Sequence, residues 1–331
     1  MAERSSQSGF ILVASIWLLV VLLLIAGLFG VYVSTQVAEA GKAKARTVES
    51  LDWVSTEQTL LYLFSVNGMS RKGLLVKGDV PATLRLDGSE YRGWGDVRFS
   101  VNDFGGLVGV NVYNNLHLDQ LLRSFEVSES GRRKLLDGLY DYVDMDDLIR
   151  LNGYEGLGSN NAEFAPTNDL LKTIEELENV VGWQAFLNSY PGFRASDWLS
   201  TNWRSRLNLN TIPSSLFSRV LPIDEEEARR LIKARNEEPF KNMDSVDSLL
   251  RHRVGLIDDY YTFIPTGDVR FRVYSAKSHK VSTFVVLYTP MSVRWPWVID
   301  YRYQSENRTN RQTSSRDVAR EYFERKSNSA G

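Results

Sequence analysis

The sequence contains no cysteine, which excludes disulfide bonds and thiolate chemistry. Its formal net charge is only −2, so there is no strong positive field to attract nucleic acid. It also lacks a glycine-rich phosphate loop and a serine in a nucleophile-elbow setting, so we expect a protein that is not an enzyme. The three histidines are far apart in the sequence and show no metal-ligand spacing: His117, His252 and His279.

Charged residues are also absent from a long apolar segment near the N-terminus, Phe10–Val33. As a helix this segment is about 36 Å long at roughly 1.5 Å per residue, enough to cross a bilayer core of ~30 Å. A short polar leader, residues 1–9, precedes it. In an ordinary secretory signal the apolar region is shorter and the cleavage site follows it. We therefore interpret residues 10–33 as a transmembrane helix, with a plain N-terminal signal anchor as the alternative.

The rest of the chain predicts an α+β fold. The helical pattern continues through residues 34–66, which contain no proline. Alternation of apolar and polar residues predicts strands of an antiparallel sheet in 75–113 and 262–303. Because the pattern of 114–261 is almost entirely helical, we predict a large all-helical insertion between the strands. Residues 304–331 are polar and rich in Asn, Ser and Arg, which predicts a disordered tail.

The insertion contains a helix-hairpin-helix pattern. A short helix follows Pro213, a tight hairpin lies at Pro222–Asp224, and a second helix covers Glu225–Asn236 with Asp224 as its N-cap. Such hairpins bind nucleic-acid phosphates through backbone N–H groups freed by glycines. Here the hairpin has no glycine, and three consecutive glutamates follow it. We predict a packing module without a nucleic-acid partner, and a membrane-tethered DNA receptor remains the less favoured alternative.

Acidic residues are concentrated in one segment of the insertion, before the helix-hairpin-helix pattern. Asp137, Asp141 and Asp144 are spaced three or four residues apart, so their like charges lie on one helical face and disfavour the helix. A hard cation with several carboxylate ligands would turn that cost into a gain, and calcium tolerates irregular loop geometry. A solvated acidic helix end explains the pattern equally well. The acidic segment consists of Asp137, Asp141, Asp144, Asp146, Asp147, Asn152 and Glu155.

Taken together, these segments resemble the K-type minor pseudopilins of the type II (general) secretion system. The leader and apolar helix match the start of a prepilin, in which a membrane peptidase cuts after the glycine. The resemblance covers about residues 9–288, and its ordered combination with a large helical insertion is specific to the family. It rests on Gly9–Val33, Asp103–Asn111, Leu139–Asp147 with Gly153 and Glu155, and Leu207–Thr211 with Pro239-Phe240.

The resemblance implies a role for several positions. Cleavage would occur between Gly9 and Phe10, and Phe10 would be the N-methylated first residue of the mature chain. The fifth mature residue is Ala14, where most pilin-like subunits have a glutamate that pairs with a neighbour's N-terminal amine. A carboxylate without its partner in hydrocarbon costs several kcal/mol, so an apolar residue suits a subunit at the filament tip. The family's calcium ligands would correspond to Asp141, Asp144, Asp146 and Glu155.

The resemblance also implies a location and partners. The pilin-like chain would be a single-pass inner-membrane protein with a cytoplasmic N-terminus and a periplasmic C-terminal domain. The positive-inside rule alone predicts the opposite orientation, since Arg4 is the one basic residue of the leader while Lys42, Lys44 and Arg46 follow the apolar segment. Expected partners are other minor pseudopilins in a tip complex, the prepilin peptidase, the inner-membrane assembly platform and exported proteins. A minor pilin of a type IV pilus is the alternative function.

Overall fold

The structure is a computed structural model. It describes residues 8–78, 81–146, 148–154, 166–251, 258–275, 280–289, 291–306, 316 and 322–323, and for residues 8–11 it describes the backbone alone.

A single helix of 59 residues, α1 (Ser8–Val66), forms the N-terminal part of the described chain. No proline interrupts it, and its long apolar run is compatible with continuous helix. Every described side chain from Leu12 to Val48 is exposed. Near the C-terminal end, Leu60 and Leu63 become fully buried against the sheet. The predicted long N-terminal helix is therefore confirmed.

The main sheet has five antiparallel strands in the order β12-β11-β10-β5-β4. A smaller antiparallel sheet has the order β1-β2-β3, and its strands precede those of the main sheet in the chain. Phe64 of α1 packs edge-to-face on Phe271 (ring centroids 4.8 Å apart), which stacks on Phe284 at 4.9 Å. The strands are β1 Met69–Ser70, β2 Gly73–Val76, β3 Ala82–Leu84, β4 Asp87–Arg92, β5 Val97–Asp103, β10 Asp268–Ser275, β11 Lys280–Tyr288 and β12 Trp297–Glu306.

The chain leaves the main sheet after β5 and returns to it at β10, and the mainly helical insertion lies between these strands. Its own hydrophobic core is separate from that of the sheet and includes the fully buried Trp183. Two-residue strands, which were not predicted, pair in parallel as β6-β7 and β8-β9. These elements are β6 Val108–Gly109, α2 Leu116–Arg123, α3 Glu129–Val143, α4 Trp183–Ser189, α5 Ala195–Trp198, β7 Leu199–Ser200, β8 Leu207–Asn208, α6 Phe217–Val220, α7 Glu225–Glu237, α8 Met243–Asp247 and β9 Tyr261–Thr262.

Two predicted boundaries of the sheet region are corrected. Strand pairing begins at Met69 rather than at residue 75, and β12 continues to Glu306. The prediction of a disordered tail is also wrong for the described residues beyond β12. Arg316 exchanges backbone hydrogen bonds with β4, and Phe323 is buried on Phe99 with ring centroids 5.3 Å apart. Tyr322 also contacts Tyr62, with ring centroids 6.3 Å apart, and donates a hydrogen bond to the carbonyl oxygen of Lys77 at 2.6 Å. The polar composition gives no signal of these aromatic anchors, and residues 307–315, 317–321 and 324–331 lie outside the described residues.

Candidate functional site: an apolar helix carrying a two-part head

The N-terminal half of α1 presents an apolar surface on all sides. Leu18, Leu28 and Phe29 each expose about two-thirds of their surface. This is the one helix of the described chain that is long and apolar enough to cross a membrane by length and composition. Contiguous apolar surface of this size is unfavourable in water, so it requires a lipid or protein environment.

The predicted processing site lies at the start of this helix. The backbone of Gly9 and Phe10 belongs to the first turn of α1, and Ala14 is exposed one turn further on. Farther along, a Cβ atom added at Gly27 or Gly30 would meet no other atom within 4 Å. Both glycines therefore leave room for a second helix to approach closely. Cleavage at Gly9 and the role of Ala14 stay predictions.

Polar contacts fix the C-terminal half of α1 to the sheet. Glu57 is buried and accepts hydrogen bonds from Ser282 Oγ at 2.9 Å and Trp53 Nε1 at 3.1 Å. It also forms an ion pair with Arg302 at 3.0 Å. Because β11 supplies Ser282 and β12 supplies Arg302, one carboxylate joins the helix to two strands. The sheets and the insertion together form the head of the molecule. The exposed apolar half of α1 thus belongs to a helix whose other half is anchored in this head.

A fully buried carboxylate, Asp103, joins the sheet to the insertion. Its oxygens accept hydrogen bonds from Asn208 Nδ2 (3.0 Å) and Thr211 Oγ1 (2.7 Å) of the insertion. They also accept from the backbone N (2.9 Å) and Oγ1 (2.6 Å) of Thr266, just before β10. At Gly106 an added Cβ would overlap the backbone carbonyl of Thr211. The Asp/Gly-rich segment after β5 therefore brings the two parts of the head into close contact.

A second buried connection is the ion pair between Asp87 and Arg235. Asp87 at the start of β4 contacts Arg235 of α7 at 3.2 Å and Arg85 at 2.8 Å. Arg235 also donates to the carbonyl oxygen of Ile212 at 2.5 Å. Burial opposes ionisation of Asp87, but Arg235 and Arg85 hold the pKa of this carboxyl below its ordinary value. No periodic pattern of residues indicates either connection, because each depends on residues far apart in the chain.

The acidic segment also contains a basic side chain, Arg150, which pairs with two of its carboxylates. Asp141 is fully buried at the end of α3, where Nη1 of Arg150 forms ion pairs with both Asp141 and Asp144. The backbone N of Arg150 also donates to Asp141 at 3.1 Å. The guanidinium lies over the ring of Tyr140, 5.6 Å from its centroid. The carboxylates of Asp141 and Asp144 raise the pKa of Arg150 although burial opposes that shift.

The predicted calcium ligands are only partly brought together. Asp146 accepts a hydrogen bond from the backbone of Leu148 at 2.9 Å, and Glu155 lies outside the described residues. One oxygen of Asp144 is buried and has no hydrogen-bond partner among the described residues. Among the described residues, no group of three His, Asp or Glu side chains is arranged to hold a metal ion. The described carboxylates therefore do not form a calcium site by themselves, and two of them share the single positive charge of Arg150.

The helix-hairpin-helix pattern is present as α6 and α7. Asp224 accepts a hydrogen bond from the backbone N of Glu227 at 2.7 Å and forms a capping box with it, as an N-cap should. Phe217 is fully buried, and Phe240, which follows α7, is nearly so. Glu226 pairs with Arg251 at 2.7 Å. The acidic start of α7 and its buried neighbours are the features expected of a packing module.

Comparisons with known proteins were made for the whole chain. No protein-family model matches it, and no curated protein matches it either. Among solved structures, a chain in the crystal structure of the GspK-GspI-GspJ complex from the type 2 secretion system of enterotoxigenic Escherichia coli is similar. The TM-score is 0.47 at 14% sequence identity, and the match covers 82% of this chain and 98% of that chain. At this level the similarity establishes neither family nor function.

Proposed function

We propose that this protein is a non-enzymatic minor pseudopilin of a type II protein secretion system, of the K type. The observation that carries the proposal is the division of α1 into two halves. Its first half is apolar and exposed on all sides, whereas its second half is fixed to an antiparallel sheet through Leu60, Leu63 and Glu57. A helix of this kind can remain in a membrane and also pack against identical or related helices in a filament.

The apolar half accounts for localisation and processing. The chain is placed in the inner membrane by one span, with its leader in the cytoplasm and its head in the periplasm. Prepilin peptidase cuts after Gly9, and the new N-terminal Phe10 is methylated. Ala14 then lies in the apolar filament core, where it needs no amine from a neighbouring subunit. This suits the subunit at the tip, where no further copy is stacked above.

The insertion supports the tip position. It has its own core and is held to the sheet by the buried carboxylates Asp103 and Asp87. An additional unit with its own core hinders the stacking of another subunit on the head, so it suits initiation and capping of the periplasmic pseudopilus. The partners on the head are other minor pseudopilins, and the helix engages the assembly platform. Folded proteins to be exported are the cargo of the complex.

We also propose that calcium binds to the acidic segment in exchange for the guanidinium of Arg150. Binding by Asp141, Asp144, Asp146 and Glu155 requires the guanidinium of Arg150 to leave the two carboxylates that it now contacts. One cation would then replace another, and the buried oxygen of Asp144 would gain a partner. Thermal melting of the full chain with and without a calcium chelator tests this exchange. An unchanged midpoint would contradict calcium binding and leave Arg150 as the cation that Asp141 and Asp144 share.

A deletion strain complemented with the full chain tests the proposed function. Wild-type chain should restore export of folded proteins to the medium, whereas Gly9→Leu should leave an uncut precursor and no export. Gly41→Ala is the matched control, because a Cβ at Gly41 meets no atom within 4 Å. Loss of surface pili with normal export would favour a minor pilin of a type IV pilus. Normal export in the deletion strain would contradict the proposal.

A further inference from the structure

Five basic side chains converge on one cleft at the junction of the small sheet and the insertion. The cleft has a volume of about 390 Å³, and asparagine and threonine side chains complete much of its lining. This volume lies within the usual range for small-ligand pockets, roughly 300–1,000 Å³. We call it the basic cleft, and its cations are Arg71, Lys72, Arg85, Arg235 and Arg316.

Several separate elements bring these cations together. Arg71 and Lys72 form the turn between β1 and β2, and Arg85 follows β3. Arg235 comes from the last turn of α7, and Arg316 is held beside β4 by backbone hydrogen bonds of 2.9 and 3.0 Å. The tertiary fold therefore forms the cleft, and no single basic segment of the sequence predicts it.

Among the residues that the structure describes, the positive charge in the cleft is only partly compensated. Asp87 pairs with Arg85 and Arg235, but no carboxylate of the described residues forms an ion pair with Arg71, Lys72 or Arg316. Glu238 pairs with Lys241 at 3.0 Å, and Lys72 attracts the same carboxylate without forming an ion pair with it. Like charges held close together repel one another, and an anion between them removes that cost.

Arg235 supplies the most specific signal. Its side chain is 1% exposed, yet its Nε has no hydrogen-bond partner among the described residues. Burial lowers the pKa of Arg235 to about 10, with Asp87 opposing and Arg85 and Arg316 adding to the shift. The guanidinium nevertheless remains charged at neutral pH. A buried cation at the wall of a cleft that is lined by further cations favours a ligand that carries several oxygen acceptors.

We infer that the basic cleft binds a multivalent oxyanion, as carried by an acidic peptide segment or by inorganic phosphate. Arginine is suited to this chemistry because its planar fork of donors matches carboxylate and phosphate oxygens. The inference concerns the isolated chain and does not depend on the proposed role in secretion.

Binding is tested with the full chain in a non-ionic detergent at low ionic strength. Inorganic phosphate and a hexaglutamate peptide are titrated separately by calorimetry, with hexaglutamine as the uncharged control peptide. The test variant carries Arg71→Gln, Lys72→Gln and Arg316→Gln, three exposed positions, and leaves the half-buried Arg85 and the buried Arg235 intact. The control variant carries Lys44→Gln, Lys134→Gln and Lys233→Gln, which remove three exposed charges outside the cleft.

We expect saturable binding that weakens with added salt and falls at least about tenfold in the test variant, while the control variant retains wild-type affinity. Binding of the peptide alone identifies an acidic protein segment as the ligand, and binding of phosphate alone identifies a small anion. Either result supports the inference. Absence of binding by both probes, or equal weakening in the control variant, would overturn it.

Discussion

The substitution Asp87→Asn tests how the insertion is held on the sheet. The carboxylate of Asp87 is 5% exposed and lies between Arg85 at 2.8 Å and Arg235 at 3.2 Å. Asparagine has almost the same volume but no charge. The change therefore leaves two arginines close together, one of them 1% exposed, without their shared counter-ion.

Removing one partner of a buried ion pair typically costs about 3–5 kcal/mol, because the remaining charge stays buried and unpaired. Arg85 is 16% exposed and retains some contact with solvent, so we place the expected loss at the lower end, about 3 kcal/mol. Replacing Arg235 with methionine in the Asp87→Asn background should recover part of this loss, since it removes the uncompensated buried cation.

Urea unfolding of the full chain in detergent, followed by tryptophan fluorescence, measures the effect. Trp183 and Trp198 are buried in the insertion and report on its unfolding. Asp169→Asn is the matched control, because Asp169 pairs with Lys172 at the surface and such pairs contribute little. A loss below about 1 kcal/mol for Asp87→Asn, or an equal loss in the control, would refute the role assigned to this ion pair.

The pH dependence of the same variant provides an independent check. Since the folded pKa of Asp87 is below its ordinary value, its ionised form stabilises the protein above about pH 4. This contribution is lost as the pH falls through the folded pKa. The difference in free energy of unfolding between wild type and Asp87→Asn should therefore be constant between about pH 5 and 7 and shrink below about pH 4. A difference that persists unchanged at pH 2.5 to 3 would contradict the assigned cause.

Three further outcomes are expected. Gly106→Ala should destabilise the head by more than about 2 kcal/mol, measured by urea unfolding, because the new Cβ overlaps the carbonyl of Thr211. Arg150→Gln should lower stability by about 2 kcal/mol, since it leaves the buried carboxylate of Asp141 unpaired, and calcium should restore the melting midpoint. Ala14→Glu should reduce export in the complementation assay, because its carboxylate has no partner amine at the tip.

The control for Gly106→Ala is a second glycine-to-alanine change at a position where the added Cβ meets no neighbouring atom. Gly41→Ala should stabilise α1 slightly, since alanine favours helix and an added Cβ contacts nothing there. Equal unfolding curves for Gly106→Ala and Gly41→Ala would contradict the close approach at the junction. For Arg150→Gln, wild-type stability without calcium would contradict the assigned ion pairs, and for Ala14→Glu, undiminished export would contradict the tip position.

The elements that the sequence predicts correctly depend on local patterns. The long helix α1 follows from an uninterrupted apolar run without proline, and Asp224 follows from the preference for aspartate at an N-cap. The alternation of apolar and polar residues in β10 and β11 likewise predicts strands, and these two strands are paired in the structure. In each case the residues that decide the structure are close together in the chain.

The features that escaped prediction depend on distant partners. The pairing of Arg150 with Asp141 across a turn, and of Arg235 with Asp87 across the head, gives each buried charge a partner of opposite sign that the sequence pattern does not show. Phe323 anchors the end of a polar segment through one buried ring. Composition averages over such single contacts, so it predicts solvated or disordered segments where tertiary structure supplies a partner.

The mass of the mature N-terminus is the most direct test of the proposed pseudopilin. The protein is purified from membranes of cells that contain prepilin peptidase, and its N-terminal peptide is measured by mass spectrometry. We expect a chain that begins at Phe10 with a methylated amine and retains the whole apolar half of α1. A chain that still carries residues 1–9, or one cut beyond Val33, would contradict the proposal.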